Sequence, residues 1–288
     1  MTKSRTAAIF GVICWFVGGA AIAQSVNFPL TDDSDASPLV IEADDGLEWI
    51  PKEGRYIARG NARASRGTVT LRADQLIAHY RETKKGGSGQ EMIRLDATGH
   101  VKITSVNKDA KGRKATTTAT GDIAVYHVKE SVFVLNGKRL RLVSPQGVLT
   151  ARDSLEYWDK RQTAVARGKA VVSQGKQRLH ADILTAYIAQ SPAPKKPGAK
   201  PPLGGAGQKI NRVDAFGNVH VSVPNAIIRG DKGEFYPATS IAKLHGNVKI
   251  TSNKNQLNGD EAQVNLKTGI YRLLGKRVKG LLTPNRTR

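Results

Sequence analysis

The sequence predicts an almost all-β protein built from about seven repeated two-strand units. Three observations carry this. Apolar and polar residues alternate at a period of two, glycine and aspartate anchors recur along the chain, and no segment past the N-terminus keeps an apolar face at helical period over three turns. The 288 residues hold 45 Lys+Arg against 24 Asp+Glu, for a formal net charge of +21, with 39% apolar residues and one cysteine. That apolar content is too high for a disordered tail. A lone cysteine excludes an intrachain disulfide and a cysteine-based zinc site. The charge points to a polyanionic partner: nucleic acid, an anionic membrane surface or a phosphorylated lipid.

The first element is an address label. Lys3 and Arg5 precede an uncharged apolar stretch from Ala7 to Ala20, and Ala21-Ile22-Ala23 forms an Ala-x-Ala cleavage signature before Gln24. Residues 1–23 therefore read as a secretory signal peptide. The alternative, an uncleaved anchor, needs a span of about 20 apolar residues, and this stretch is shorter. Cys14 follows Ile13, where a lipoprotein site needs a small residue, which argues against lipidation. Cleavage removes the cysteine and lowers the formal charge to +19. Export from the cytoplasm argues against a nucleic-acid partner. Residues 24–38 read as a flexible N-terminal segment, residues 39–282 as the β region and residues 283–288 as a C-terminal tail.

Within 39–282 one anchor is a glycine that opens an alternating run. It appears as Gly99-His-Val-Lys-Ile, Gly168-Lys-Ala-Val-Val, Gly217-Asn-Val-His-Val and Gly246-Asn-Val-Lys-Ile, with weaker copies at Gly60, Gly137 and Gly275. Two positions before these glycines stand Ala58, Ala97, Leu135, Ala166, Ala215, Leu244 and Leu273, all apolar. The second anchor is an aspartate column, Asp44, Asp74, Asp122, Asp153, Asp182, Asp231 and Asp260, followed two residues later by Gly46, Leu76, Ala124, Leu155, Leu184, Gly233 and Ala262. Glu48 interrupts the next apolar column, which suggests an edge strand. Both anchors read as structural: aspartate bonds nearby backbone N–H groups and glycine tolerates positive φ.

Successive aspartates are 30, 48, 31, 29, 49 and 29 residues apart. The common spacing of about 29 fits two strands and two turns. One long gap holds Lys84-Lys85-Gly86-Gly87-Ser88-Gly89 and the stretch from Asn107 to Lys114. The other holds a Pro-rich loop, residues 190–208, with five of the twelve prolines. In the run from Thr68 to Ala73 residues 69, 71 and 73 are apolar, whereas after Asp74 the apolar set is Leu76, Ala78 and Tyr80. Such a change of phase marks a corner or bulge. Fourteen or so strands shared between two faces, about seven per face, give a layer of roughly 35 Å at about 4.8 Å per strand.

The Gly-Asn-Val-x-Ile units at Gly246–Ile250 and Gly217–Val221, and the Ala-Asp units from Ala73 to Tyr80 and Ala181 to Tyr187, resemble the LptA/OstA family of periplasmic lipopolysaccharide transport proteins. The resemblance covers roughly residues 39–280. It implies an elongated, open, twisted, V-shaped β-jellyroll lined by apolar side chains. It further implies a non-enzymatic periplasmic bridge that carries lipopolysaccharide from inner to outer membrane and stacks end to end. Partners would be LptC-like inner-membrane and LptD-like outer-membrane components, and further copies head to tail, joined through the terminal strands Leu39–Ile50 and Ile270–Leu282. The chain departs from the family pattern in its length, its two insertions and its basicity.

Candidate groove-lining residues are Val101, Ile103, Ala170, Val172, Val219, Val221, Val248 and Ile250, whose alternative role is ordinary core packing. Candidate phosphate contacts are Lys138, Arg139, Arg141, Lys276, Arg277 and Lys279, whose alternative role is a solvated face. The six histidines are scattered singly, and no serine-hydrolase elbow, His-Glu-x-x-His or phosphate loop is present. No cofactor, metal or catalytic role is therefore expected. A membrane-anchored LptC-like component and a structural β-repeat scaffold without a lipid ligand remain the competing readings.

Overall fold

The computed structural model describes residues 39–82, 90–108, 113–189, 210–224, 226–252, 255–275 and 278–281. The expected signal peptide, N-terminal segment, Pro-rich loop and C-terminal tail lie outside them, as do Lys276 and Arg277. No α-helix occurs among the described residues. The strands are β1 (Val40–Glu42), β2 (Gly46–Ile50), β3 (Arg55–Arg66), β4 (Val69–Glu82), β5 (Gln90–Lys108) and β6 (Lys114–His127). Four short strands follow, β7 (Val132–Asn136), β8 (Leu140–Ser144), β9 (Gly147–Ala151) and β10 (Ser154–Trp158). Long strands resume with β11 (Thr163–Gln174), β12 (Gln177–Ile188), β13 (Ile210–Val223), β14 (Ala226–Tyr236), β15 (Ile241–Ser252) and β16 (Asn255–Asn265), and the sheet ends on β17 (Ile270–Leu274) and β18 (Lys279–Leu281). All pair antiparallel in one hydrogen-bonded sheet, an elongated β-jellyroll of the class the sequence predicts.

The long strands change register at a corner, for example in β11 between Arg167 and Ala170 and in β15 between His245 and Val248. The chain thereby passes from one layer to another. β6 pairs through its C-terminal half with β7 and through its N-terminal half with β8. A strand thus serves both layers, so each layer has fourteen rungs where the sequence suggested about seven. At about 4.8 Å per rung the molecule is roughly 60 Å long.

The two sequence anchors meet at this corner. Gly217 and Gly246 have φ of +74° and +76°, and a Cβ on either would fall within 3 Å of the Asp182 or Asp231 carboxylate on the adjacent strand. The next residue is also left-handed, with φ of 49° at Asn218 and 48° at Asn247. Asparagine suits that conformation, and its side-chain amide donates to the same aspartate, at 2.7 Å for Asn218 and 2.8 Å for Asn247. His100 meets Asp74 in the same way at 2.8 Å. At these three corners the bulge is two left-handed residues clamped by one carboxylate.

At the first corner Asp45, and not Asp44, faces Gly60, while Asp44 accepts from Asn61. Counted from Asp45, the residues two and four further on are Leu47 and Trp49. The apolar column is intact, and the interruption at Glu48 came from a start placed one residue early. The residues before each glycine and after each aspartate then interleave in one cross-strand row: Leu47, Ala58, Leu76, Ala97, Ala124 and Leu135, continuing by way of Leu155 to Leu273. From Ala58 onward this row is the spine of the core, which explains why those positions are apolar.

Candidate functional site

The interior between the layers is lined by two facing rows, and their side-chain sizes decide where space remains. In the first layer the row runs through Leu95, Tyr126, Phe133 and Tyr157, then continues as Ala164, Ala186, Val213, Phe235 and Ala242. Bulky groups thus give way to mostly small ones at β11. Opposite, in the second layer, the row runs Ala64, Leu71, Ile103 and Ala119, then Leu142, Leu149, Val172, Leu179 and Val221. The first four are buried, whereas the next five, on consecutive rungs, are only half-buried.

Small residues facing half-buried aliphatic ones leave open apolar space. One cavity of about 170 Å³ is lined by Phe133, Leu142, Leu149, Ala164, Ala186 and neighbouring residues. A second, of about 130 Å³, is lined by Leu179, Val219, Val221, Phe235 and Ala242, among others. Val172, Gln174 and Val213 border both, so the two lie end to end. Open apolar space without partner atoms forfeits dispersion contacts along its lining. A chain of methylenes entering it gains about 0.8 kcal/mol for each group buried.

The sequence-derived groove residues divide between cavity and core. Val172, Val219 and Val221 line the cavities. Val101, Ile103, Ala170, Val248 and Ile250 lie in the packed core, each no more than 3% exposed. The cavity-lining Leu142, Leu149, Ala164 and Ala186 were not singled out, because their role depends on what faces them across the layers. Of the phosphate candidates, Lys138, Arg139, Arg141 and Lys279 are exposed on the second layer. Among the described residues no group of three or more His, Cys, Asp or Glu side chains converges to hold a metal ion.

Electrostatics is concentrated on the outer faces. Burial pushes the Glu156 carboxyl up, but hydrogen bonds from Arg167, Ser154 and Trp158 outweigh this and hold it below the usual range. His220 lies beside His180 and Arg229 on the neighbouring strands. Its Nε2 is buried without a hydrogen-bond partner among the described residues. Burial, and then the Arg229 and His180 charges, lower its pKa. The folded state therefore resists a proton that the unfolded chain accepts near pH 6.5. The stability tied to His220 is complete above that pH and is lost as pH falls. Thermal melts at about pH 7.5 and about pH 5.5 are expected to show a smaller acid shift in His220→Gln than in the unsubstituted protein.

A family described as LptA/(LptD N-terminal domain) lipopolysaccharide transport protein matches the chain twice, over residues 40–153 and 150–270. The chain belongs to this family. The family's members are non-enzymatic transport components of the cell envelope, and the chain is placed among them. An uncharacterized protein of Rhizobium meliloti (strain 1021) is 28% identical over 152 residues, covering 50% of this chain and 75% of that one. LptH, the LptA-homologous periplasmic component of the lipopolysaccharide transport device of Pseudomonas aeruginosa, aligns with 18% identity and a TM-score of 0.38, covering 47% of this chain and 94% of that one. The paired family matches have a counterpart in the corner spacing: Asp74 and Asp182 are 108 residues apart, and Asp122 and Asp231 are 109. Two family units follow one another in the chain, with the first cavity where they join.

Proposed function

We propose that the chain is a periplasmic bridge component that carries lipopolysaccharide from the inner toward the outer membrane, holding its acyl chains in the apolar interior of the junction and the second unit. The observation that carries this reading is the run of half-buried aliphatic residues on five successive rungs, Leu142, Leu149, Val172, Leu179 and Val221, facing mostly small side chains. The first unit, where Leu95 and Tyr126 fill the inner row, would act mainly as a rigid stem. The exposed basic residues Lys138, Arg139, Arg141 and Lys279, together with Lys276 and Arg277, would meet lipid phosphates by charge-assisted contacts.

The ends of the sheet suit strand addition by LptC-like and LptD-like partners or by a further copy. β1 and β2 pair only with β3, and β17 and β18 only with β16, among the described strands. Leu47, Trp49, Ile270, Leu274 and Leu281 are exposed there. An open edge with exposed apolar side chains offers both backbone bonds and side-chain pockets to an incoming strand.

Purified protein incubated with lipopolysaccharide is expected to bind it. Val221→Asp, which places a carboxylate on the cavity wall, is expected to weaken binding by about tenfold or more. A folded protein that binds no lipopolysaccharide would contradict the carrier role and favour a structural scaffold. N-terminal sequencing of protein recovered from cells is expected to start at Gln24, and a start at Met1 would make the chain an anchored, LptC-like component instead.

A further inference from the structure

Acidic side chains are segregated between the two layers. From each corner outward the described residues of the second layer are 62–73, 101–108, 113–121, 138–151, 169–181, 219–224, 226–230, 248–252, 255–259 and 278–281, and no aspartate or glutamate occurs in any of these segments. Among the described residues the acid in this layer is Glu42, on the edge strand β1. The first layer holds Glu48, Asp96, Glu156, Asp214 and Glu234 in one cross-strand row. Four of these are neutralised by Arg59, Arg94, Arg167 and Arg212. The corner aspartates mark the boundary, where Asn and His side chains engage Asp74, Asp182 and Asp231.

The acid-poor layer carries its cations in register. Arg63, Arg72 and Lys102 stand opposite one another on consecutive strands, and the same row reaches Arg141 through Thr120. Further along it runs His180, His220, Arg229 and Lys249. Arg72, Lys102, Arg141, Arg229 and Lys249 are exposed and take part in no ion pair among the described residues. Like charges on neighbouring strands repel, so the row costs stability that a bound anion would return.

We propose that this outer face binds a linear polyanion, a chain bearing phosphate, carboxylate or sulfate groups, laid along the cross-strand row. Neighbouring rungs lie about 4.8 Å apart, which matches closely spaced charges along a polymer. Strands in a sheet rotate by about 20–25° from one to the next, so the row winds around the molecule. A flexible chain can follow it, whereas a planar bilayer meets only a few rungs at once. The inference is independent of the apolar interior, because the row lies on the outside of the wall whose inner face is formed by Leu71, Ile103 and Leu142.

The test is fluorescence anisotropy with a labelled heparin oligosaccharide, a linear polyanion without acyl chains, titrated at several salt concentrations. The triple variant Arg72→Gln, Lys102→Gln, Arg141→Gln is expected to weaken binding by about tenfold or more and to flatten the salt dependence by about two charges. The first-layer triple Lys52→Gln, Lys129→Gln, Arg272→Gln removes the same net charge and is expected to change binding less than about twofold. Thermal melts establish that both variants are folded. Equal losses in the two variants, no heparin binding, or binding only to phosphatidylglycerol vesicles would each overturn the proposal.

Discussion

Replacing Ala186 with phenylalanine is expected to abolish lipopolysaccharide binding while leaving the melting temperature unchanged or raised. Ala186 borders the cavity of about 170 Å³, in a row where Ala164 and Val213 are its neighbours. A ring placed there occupies open space, as Tyr126 and Phe133 do in the first unit, and gains contacts without displacing other groups. The matched change in the filled unit should behave differently. Ala78 belongs to the same row and is buried beside Leu95, so Ala78→Phe forces overpacking at a cost of about 1–3 kcal/mol. Parallel thermal melts and lipid-binding measurements on the two variants separate a cavity from a core. Equal destabilisation in both would mean that the second unit is filled as well.

Gly246→Ala is expected to destabilise the fold by about 2–4 kcal/mol, measured by denaturant unfolding. A left-handed backbone costs a non-glycine residue roughly 1–2 kcal/mol, and the new Cβ collides with the Asp231 carboxylate. The collision can be isolated. Asp231→Ala alone loses the bond from Asn247, but in the double variant the obstacle to the Cβ is gone. The double variant should therefore be more stable than the sum of the single changes predicts, by about 1 kcal/mol. Strict additivity would mean that glycine is required for backbone conformation alone.

Much of the fold was legible in the residues themselves. The glycine and aspartate anchors were visible because a glycine packed against an aspartate recurs at seven corners, and the phase change after Asp74 follows directly from the bulge. The apolar residues before each glycine and after each aspartate were legible as two columns. That they form a single row became evident only from strand register, which also moved the first anchor from Asp44 to Asp45. The duplication lay in the aspartate spacings, where 30, 48 and 31 are followed by 29, 49 and 29, and the paired family matches bring it out.

The interior resisted reading from the sequence for a physical reason. Val101 and Val219 have the same local pattern and both are buried in the core, yet only Val219 also borders a cavity. The difference lies in residues far along the chain: Leu95 and Tyr126 fill the first unit, while Ala164, Ala186 and Ala242 leave room in the second. The scarcity of acids in the second layer could likewise be read off the segments, but those segments form one face only because the long strands bend at their corners.

The most direct measurement is site-specific photo-crosslinking to lipopolysaccharide. Probes at Leu149 and Val221, on the half-buried inner row, are expected to give adducts, while probes at Ile103, in the filled first unit, and at Lys249, on the outer face, are expected to give few or none. Adducts from Lys249 without adducts from Leu149 or Val221, in a folded protein, would contradict an acyl path through the interior.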